Sequence, residues 1–254
     1  MRLYCLPYSG ASAMVYAKWQ CLLPSWLQVC PLELPGRGQR YADPLYTDIG
    51  LLSRRLAGEL AAQVEDGAQY VLYGHSLGAL LSWHVVQALV ERKCRLPAAL
   101  IVSGTAAPSQ RDDRELALPL SDERLVARLQ ELGGTPAAVF DNPQLLELVL
   151  PLLRADFQLC GSHTYSVHAP LDLPLLVMAG HDDIASAEQL QAWRHETYGP
   201  FAVQMFDGGH FFISSAQDAV LTGLQQFLEP LRAVPPGSPS ARVEQHSVTP
   251  VNPA

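Results

Sequence analysis

The stretch LYGHSLGALL, residues 72–81, decides the fold. It opens on the end of a β-branched and aromatic run, Tyr70-Val71-Leu72-Tyr73, and passes into an apolar helical pattern over Leu77–Arg92. Between them lies Gly74-His75-Ser76-Leu77-Gly78. A Gly-x-Ser-x-Gly pattern alone occurs by chance in about one chain in ten of this length. Its context gives it weight. Strand, tight turn and helix in that order stand the serine oxygen above a sheet edge, at the positive end of the helix, where a developing oxyanion is stabilised. Gly74 and Gly78 suit a turn that packs the helix start against neighbouring strands. The same residues also suit a plain structural turn, so a nucleophilic Ser76 needs partners elsewhere in the chain.

Outward from this point, short β-like runs alternate with helical patterns. The strands read are Leu3–Leu6, Val29–Leu34, Tyr70–Tyr73, Ala99–Val102, Leu175–Ala179 and Ala202–Phe206. Helices are read near Ser12–Trp19, Asp48–Val64, Leu77–Arg92, Ser186–Tyr198 and Ala216–Leu231. Continuously apolar strands alternating with helices predict an α/β fold, a mostly parallel sheet covered on both faces.

The rhythm breaks between Leu118 and Tyr165, where two helices and no strand are expected. Ser121 can N-cap the first, with Asp122 and Glu123 in its first turn, and Gly133-Gly134 ends it. Asn142 can cap the second, with Pro143 at its first turn, and Pro151 is expected to kink it. Such an insertion is either a lid or extra core. The last stretch, 233–254, is rich in Pro and Ser and poor in apolar residues, and reads as a disordered tail after an ordered domain over 1–232.

The composition narrows the function. With 254 residues, 48% of them hydrophobic, a sizeable core can form. The net charge of −8 and the lack of a basic stripe argue against nucleic-acid binding. The five cysteines have neither CxxC nor metal-ligand spacing and read as reduced thiols, mostly buried. The start, MRLYCLPYSG, has no signal-peptide pattern, and no segment approaches ~18 uninterrupted apolar residues, so a cytoplasmic protein without a membrane span is expected. No Walker loop or Gly-x-Gly-x-x-Gly occurs, and neither cofactor nor metal is expected.

A serine nucleophile needs a base, and the base an orienting acid, here in the chain order serine, acid, histidine. Of eight histidines, His210 stands out. In MFDGGHFF, residues 205–212, it follows a strand, and Gly208-Gly209 let the backbone bend over the sheet. The acid should follow the preceding strand. LLVMAGHDDIAS, residues 175–186, offers Asp182 and Asp183 there. The residues alone leave both open, one as acid and the other capping the helix near Ser186 or facing solvent. A tetrahedral intermediate needs two N–H donors. The Leu77 amide is one, and the loop LPYSGAS, residues 6–12, offers Ser9 and Gly10 for the other. His75 neighbours Ser76, but adjacent residues on a tight turn point apart, and it reads as packing. His84 reads as a packed helix residue.

These pieces together resemble a known family. LPYSG (6–10), LELPGRGQR (32–40), YGHSLGA (73–79), LSDERLVARLQELGGTP (120–136), LPLLRADFQL (150–159), MAGHDDIAS (178–186) and DGGHFFI (207–213) are similar to the type II thioesterases that accompany nonribosomal peptide and polyketide synthases, within the α/β-hydrolase superfamily. Some details are similar to external thioesterases of pseudomonad siderophore clusters. The resemblance implies an α/β-hydrolase fold with a lid at about 118–165, Asp183 as the acid beside Ser76 and His210, and Ser9 as the second oxyanion donor with Leu77. The family usually follows that donor with Gly-Gly, where this chain has Gly10-Ala11. The resemblance also puts Arg154, Asp156 and Phe157 among the substrate or lid residues. Arg37 and Arg40 either place the loop, meet the acidic surface of a carrier domain, or are structural arginines after a Pro-Gly turn.

The task so implied is editing: hydrolysis of aberrant acyl or aminoacyl thioesters from the phosphopantetheine arm of acyl or peptidyl carrier domains, by a monomeric enzyme. Two rivals make different predictions. A general carboxylesterase on the same fold turns over oxygen esters without preferring carriers, and a non-catalytic carrier-binding module hydrolyses nothing.

Overall fold

The apolar runs of the sequence become parallel strands. The computed structural model describes residues 1–64, 67–133 and 137–233. Among the described residues the strands are β1 (Arg2–Leu6), β2 (Gln28–Pro31), β3 (Tyr70–His75), β4 (Leu100–Ser103), β5 (Leu175–Gly180) and β6 (Phe201–Phe206). They form one sheet in the order β2-β1-β3-β4-β5-β6, every neighbouring pair parallel. Each lies where the sequence places a strand, with ends shifted by one or two residues except in β2. That strand stops at Pro31 rather than Leu34: it is an edge strand, the missing N–H of Pro31 falls on its open side, and the last bond to β1 runs from the Leu32 N–H to the Cys5 carbonyl.

Period-two alternation feeds two cores. Tyr4 and Leu6 of β1, Tyr70 and Leu72 of β3, and Leu175 and Val177 of β5 join one. Leu3 and Cys5, Val71 and Tyr73, and Leu176 and Met178 join the other. All six residues of β3 and of β5 are buried, as expected of strands covered on both faces. All five cysteines carry free thiols. Cys5 and Cys160 are buried, whereas Cys21 is exposed.

The helices are α1 (Trp19–Leu22), α2 (Ile49–Gln63), α3 (Leu77–Glu91), α4 (Asp122–Leu132), α5 (Ala137–Phe140), α6 (Pro143–Gly161), α7 (Ala187–Gln191), α8 (Phe212–Ser215) and α9 (Gln217–Leu228). In α3, eleven of 15 residues are buried, which suits a helix lying against the middle of the sheet. The single helix expected over Ser12–Trp19 is instead a 3-10 turn, Ala13–Tyr16, capped by the Ser12 side chain, followed by the short α1. Likewise α7 gives way to a 3-10 turn, Ala192–Glu196, rather than continuing to Tyr198.

The insertion between β4 and β5 holds α4, α5 and α6. The Ser121 hydroxyl caps α4 by accepting from the Arg124 N–H, and Asn142 caps α6 by accepting from the amides of Gln144 and Leu145. Helix α6 continues through Pro151 as one element, and the proline does not divide it. Gly134, Thr135 and Pro136, and residues 234–254 read from sequence as a tail, lie outside the described residues. No helix among the described residues is long and apolar enough to cross a membrane.

Candidate active site

In an all-parallel sheet the carboxyl ends of neighbouring strands open on one side, where ligand sites form. The predicted site residues follow four of those ends. Ser9 comes after β1, Ser76 after β3, Asp183 after β5 and His210 after β6.

Ser76 is the N-cap of α3, with φ 55° and ψ −116°. A positive φ is unusual for a residue with a Cβ and is tolerated where the surroundings enforce it. Close packing enforces it here. A Cβ on Gly74 would stand 2.0 Å from the Gly78 carbonyl oxygen, and one on Gly78 2.1 Å from that of Leu6. Only glycine lets β3, the turn and α3 approach so closely, which is the physical content of the motif.

The Ser76 Oγ lies 2.9 Å from His210 Nε2, and His210 Nδ1 lies 2.9 Å from Asp183 Oδ1. A carboxylate only accepts, so Nδ1 carries the proton and Nε2 is left to accept from the serine hydroxyl. Such a relay can draw the proton from a serine as its oxygen attacks. Asp183 Oδ1 also accepts the Ile184 N–H at 2.7 Å. Burial by itself raises the carboxyl pKa, but the hydrogen bond and charge of His210, with the Ile184 amide, outweigh it and hold Asp183 below its ordinary value. Asp182 is exposed, and its amide donates to the Gly208 carbonyl. Of the two carboxylates left open by the residues, Asp183 is the one that meets the histidine.

His75 is fully buried, with its Nδ1 2.9 Å from Ser103 Oγ and its ring centroid 5.2 Å from that of His210. Burial first, and the neighbouring His210 second, push its pKa down to about 3. It is a neutral ring packed beside His210 and has no contact with Ser76 Oγ to serve as its base.

Of the first-loop amides, Gly10 N–H is committed: it donates to Asp156 Oδ2 at 2.7 Å. The amides of Ser9 and Leu77 make no hydrogen bond within the described residues. A cavity of about 350 Å³ opens beside Ser76, Ser9 and His210. The insertion supplies much of its apolar wall through Leu129, Leu132 and Phe157, and Arg111 and Asp113 line it as well.

The three insertion residues singled out by resemblance part company. Phe157 lines the cavity. Asp156 does not: it is buried between the first loop and Arg37, whose Nη1 and Nη2 meet its two oxygens at 2.7 and 2.6 Å. Arg154 points the other way and donates to the Leu120 carbonyl and to Asp122 at the start of α4. Arg37 is 5% exposed and donates to the Ala11 carbonyl, so it holds the loop and offers no surface to a partner. Arg40 pairs with Asp43 and Glu59. Reasoning from sequence missed the Arg37–Asp156 pair, although both motifs that carry it were visible. It also missed the cavity residues Gln110 and Arg111, which no motif marks.

The chain is similar to known proteins over most of its length. The family model described as "Thioesterase domain" matches residues 1–228. The chain is 34% identical over 231 residues to linear gramicidin dehydrogenase LgrE of Brevibacillus parabrevis, covering 89% of this chain and 87% of that protein. Among solved structures, RedJ, the thioesterase of the prodiginine pathway of Streptomyces coelicolor, is 34% identical with a TM-score of 0.81, covering 90% of each chain. BorB, the type II thioesterase of the borrelidin cluster, is 34% identical with a TM-score of 0.79, covering 89% of this chain and 92% of that one. With its strand–elbow–helix, its Ser76–His210–Asp183 relay and a family match over nearly all the described residues, the chain belongs to the thioesterase domain family.

Proposed function

We propose that this protein is an editing thioesterase that removes aberrant acyl or aminoacyl groups from the phosphopantetheine arm of carrier domains. The observation that carries the reading is the unbroken relay from Ser76 Oγ through His210 to Asp183 at the mouth of a cavity. The similarity to a type II thioesterase of a biosynthetic cluster supports the choice of carrier-bound substrate.

In this reading Ser76 Oγ attacks the thioester carbonyl while His210 Nε2 takes its proton and Asp183 holds the imidazole. The Leu77 and Ser9 amides receive the oxyanion. The C–S bond breaks, the thiolate takes the proton from His210, and an acyl-serine remains. A water deprotonated by His210 then hydrolyses that ester and frees Ser76. The insertion acts as a lid whose Leu129, Leu132 and Phe157 shape the acyl chamber, and residues 1–232 form the catalytic domain. The enzyme works as a cytoplasmic monomer on carrier domains presented by other chains. The chamber is at the small end of ligand pockets, so short acyl and aminoacyl groups are preferred to long chains.

The test is release of acetyl, aminoacyl and dodecanoyl groups from a phosphopantetheinylated carrier domain, beside matched free thioesters and oxygen esters. Fast release of the short groups from the carrier, abolished by Ser76→Ala, is expected. Carrier release no faster than that of free oxygen esters would make it a general esterase. Activity that survives Ser76→Ala would overturn the relay.

A further inference from the structure

Asp156 is 1% exposed and touches no part of the cavity, yet it grips the loop that carries Ser9. Residues Tyr8 to Ala11 form a β-turn: the Ala11 N–H donates to the Tyr8 carbonyl at 3.0 Å, and Gly10, third in the turn, has φ +77°. That positive φ marks a type II turn, whose middle peptide is flipped relative to type I. Here the middle peptide joins Ser9 to Gly10, and its N–H donates to Asp156 Oδ2. The flipped alternative would aim the Ser9 carbonyl oxygen at the carboxylate instead. Arg37 holds that carboxylate through both oxygens and also donates to the Ala11 carbonyl at 3.3 Å. Leu153, one turn earlier in α6, sits 2.7 Å from where a Gly10 Cβ would be, so α6 rests directly on the turn.

We propose that Asp156 is a positioning residue for the hydrolysis: by accepting the Gly10 N–H it fixes the turn so that the Ser9 N–H faces the oxyanion, with Arg37 holding the carboxylate in place. This rests on the reading of Ser9 as an oxyanion donor to a Ser76-dependent reaction. Because Asp156 rides on α6, the donor is set only while that helix is seated on the loop.

Two double variants separate positioning from mere structure. Arg37→Met/Asp156→Asn and Arg37→Met/Asp156→Leu both lack the buried ion pair and have side chains of the same branching. Only the asparagine keeps an oxygen for the Gly10 N–H. The leucine variant is expected to lose about 10–100-fold in kcat relative to the asparagine variant, short of the ~10²–10³ typical of deleting an oxyanion donor outright. Its KM should stay within about threefold and its Tm close to that of the asparagine variant. The affinity of butylboronic acid, which forms a tetrahedral adduct on the serine, should fall in parallel. If leucine is not accommodated, Arg37→Met/Asp156→Ala gives the same comparison with a smaller side chain. Equal kcat and equal boronate affinity across the variants would overturn the proposal and leave the thioesterase reading intact. Wild-type turnover or boronate binding that does not require Ser76 would overturn both.

Discussion

At Ser76 the backbone stores energy that glycine would not. A non-glycine residue at φ 55°, ψ −116° costs on the order of 1–3 kcal/mol. Ser76→Gly and Ser76→Ala should both be inactive, yet Ser76→Gly should melt several degrees higher because only alanine keeps the Cβ strain. Equal melting temperatures would mean the elbow is relaxed. At the other end of the relay, Asp183→Asn should lower kcat by about 10³–10⁴ with little change in KM, because an amide NH2 turned to His210 Nδ1 holds the ring in the tautomer with its proton on Nε2, which cannot accept from Ser76, and no charge remains to stabilise the imidazolium. Ser76 and His210 were legible because each sits in a local motif whose geometry is nearly self-contained. Asp183 was legible only through family resemblance. Two adjacent carboxylates on one turn differ in direction, and the histidine that one of them meets lies 27 positions further along, on a loop held to this turn by the Asp182 N–H and the Gly208 carbonyl. The Arg37–Asp156 pair spans 119 positions, and no spacing rule reaches across that distance.

Among the elements, the strands were readable because burial on both faces makes each one a continuous apolar run. The short helices were not. The segment Ala137–Phe140 is a single turn, too brief to show a 3.6-residue period, and the Ser12 region spreads its capping and its helix over two separate pieces. Longer helices announce their ends, and α4 is the test case. Ser121→Ala removes the acceptor for the Arg124 N–H and should cost about 1 kcal/mol, read as faster hydrogen exchange in the first turn of α4. Unchanged exchange there would mean tertiary packing alone fixes the helix start. At the far end of α6, Gly161 meets the preceding segment so closely that a Cβ would lie 2.2 Å from the Ala117 N and the Leu116 C. Gly161→Ala should therefore destabilise the protein by about 1–3 kcal/mol, measured by chemical denaturation. A neutral result would show that the insertion yields at its base.

For the whole molecule, acid stability follows from two neutral histidines, one fully buried and one partly buried. His75 and His84 are each pushed down to about 3 from an ordinary value of 6.5, chiefly by burial, and next by His210 and His163 respectively. Between those pH values the unfolded chain binds more protons than the folded one. Stability is therefore lost as pH falls from 6.5 towards 3, by up to about 1.4 kcal/mol per pH unit for each histidine. Melting temperatures measured from pH 7 to pH 4 should decline accordingly, and His84→Gln should make the decline shallower. A slope unchanged by that substitution would remove His84 from the account.

The insertion leaves the sheet after Ser103 and returns at Leu175, on two strands that are hydrogen-bonded neighbours. Because these strands run parallel, it leaves at the carboxyl end of one and returns at the amino end of the other, so it is a crossover connection, and the sheet order is indifferent to what that crossover carries. Descent could trade this segment as a cassette, changing the shape of the chamber while the relay stays put. One stipulation travels with the cassette. Whatever replaces α6 must bring its own acceptor for the Gly10 amide and its own partner for Arg37, so a graft that copies the chamber wall and omits Asp156 transfers a pocket onto a loosened loop.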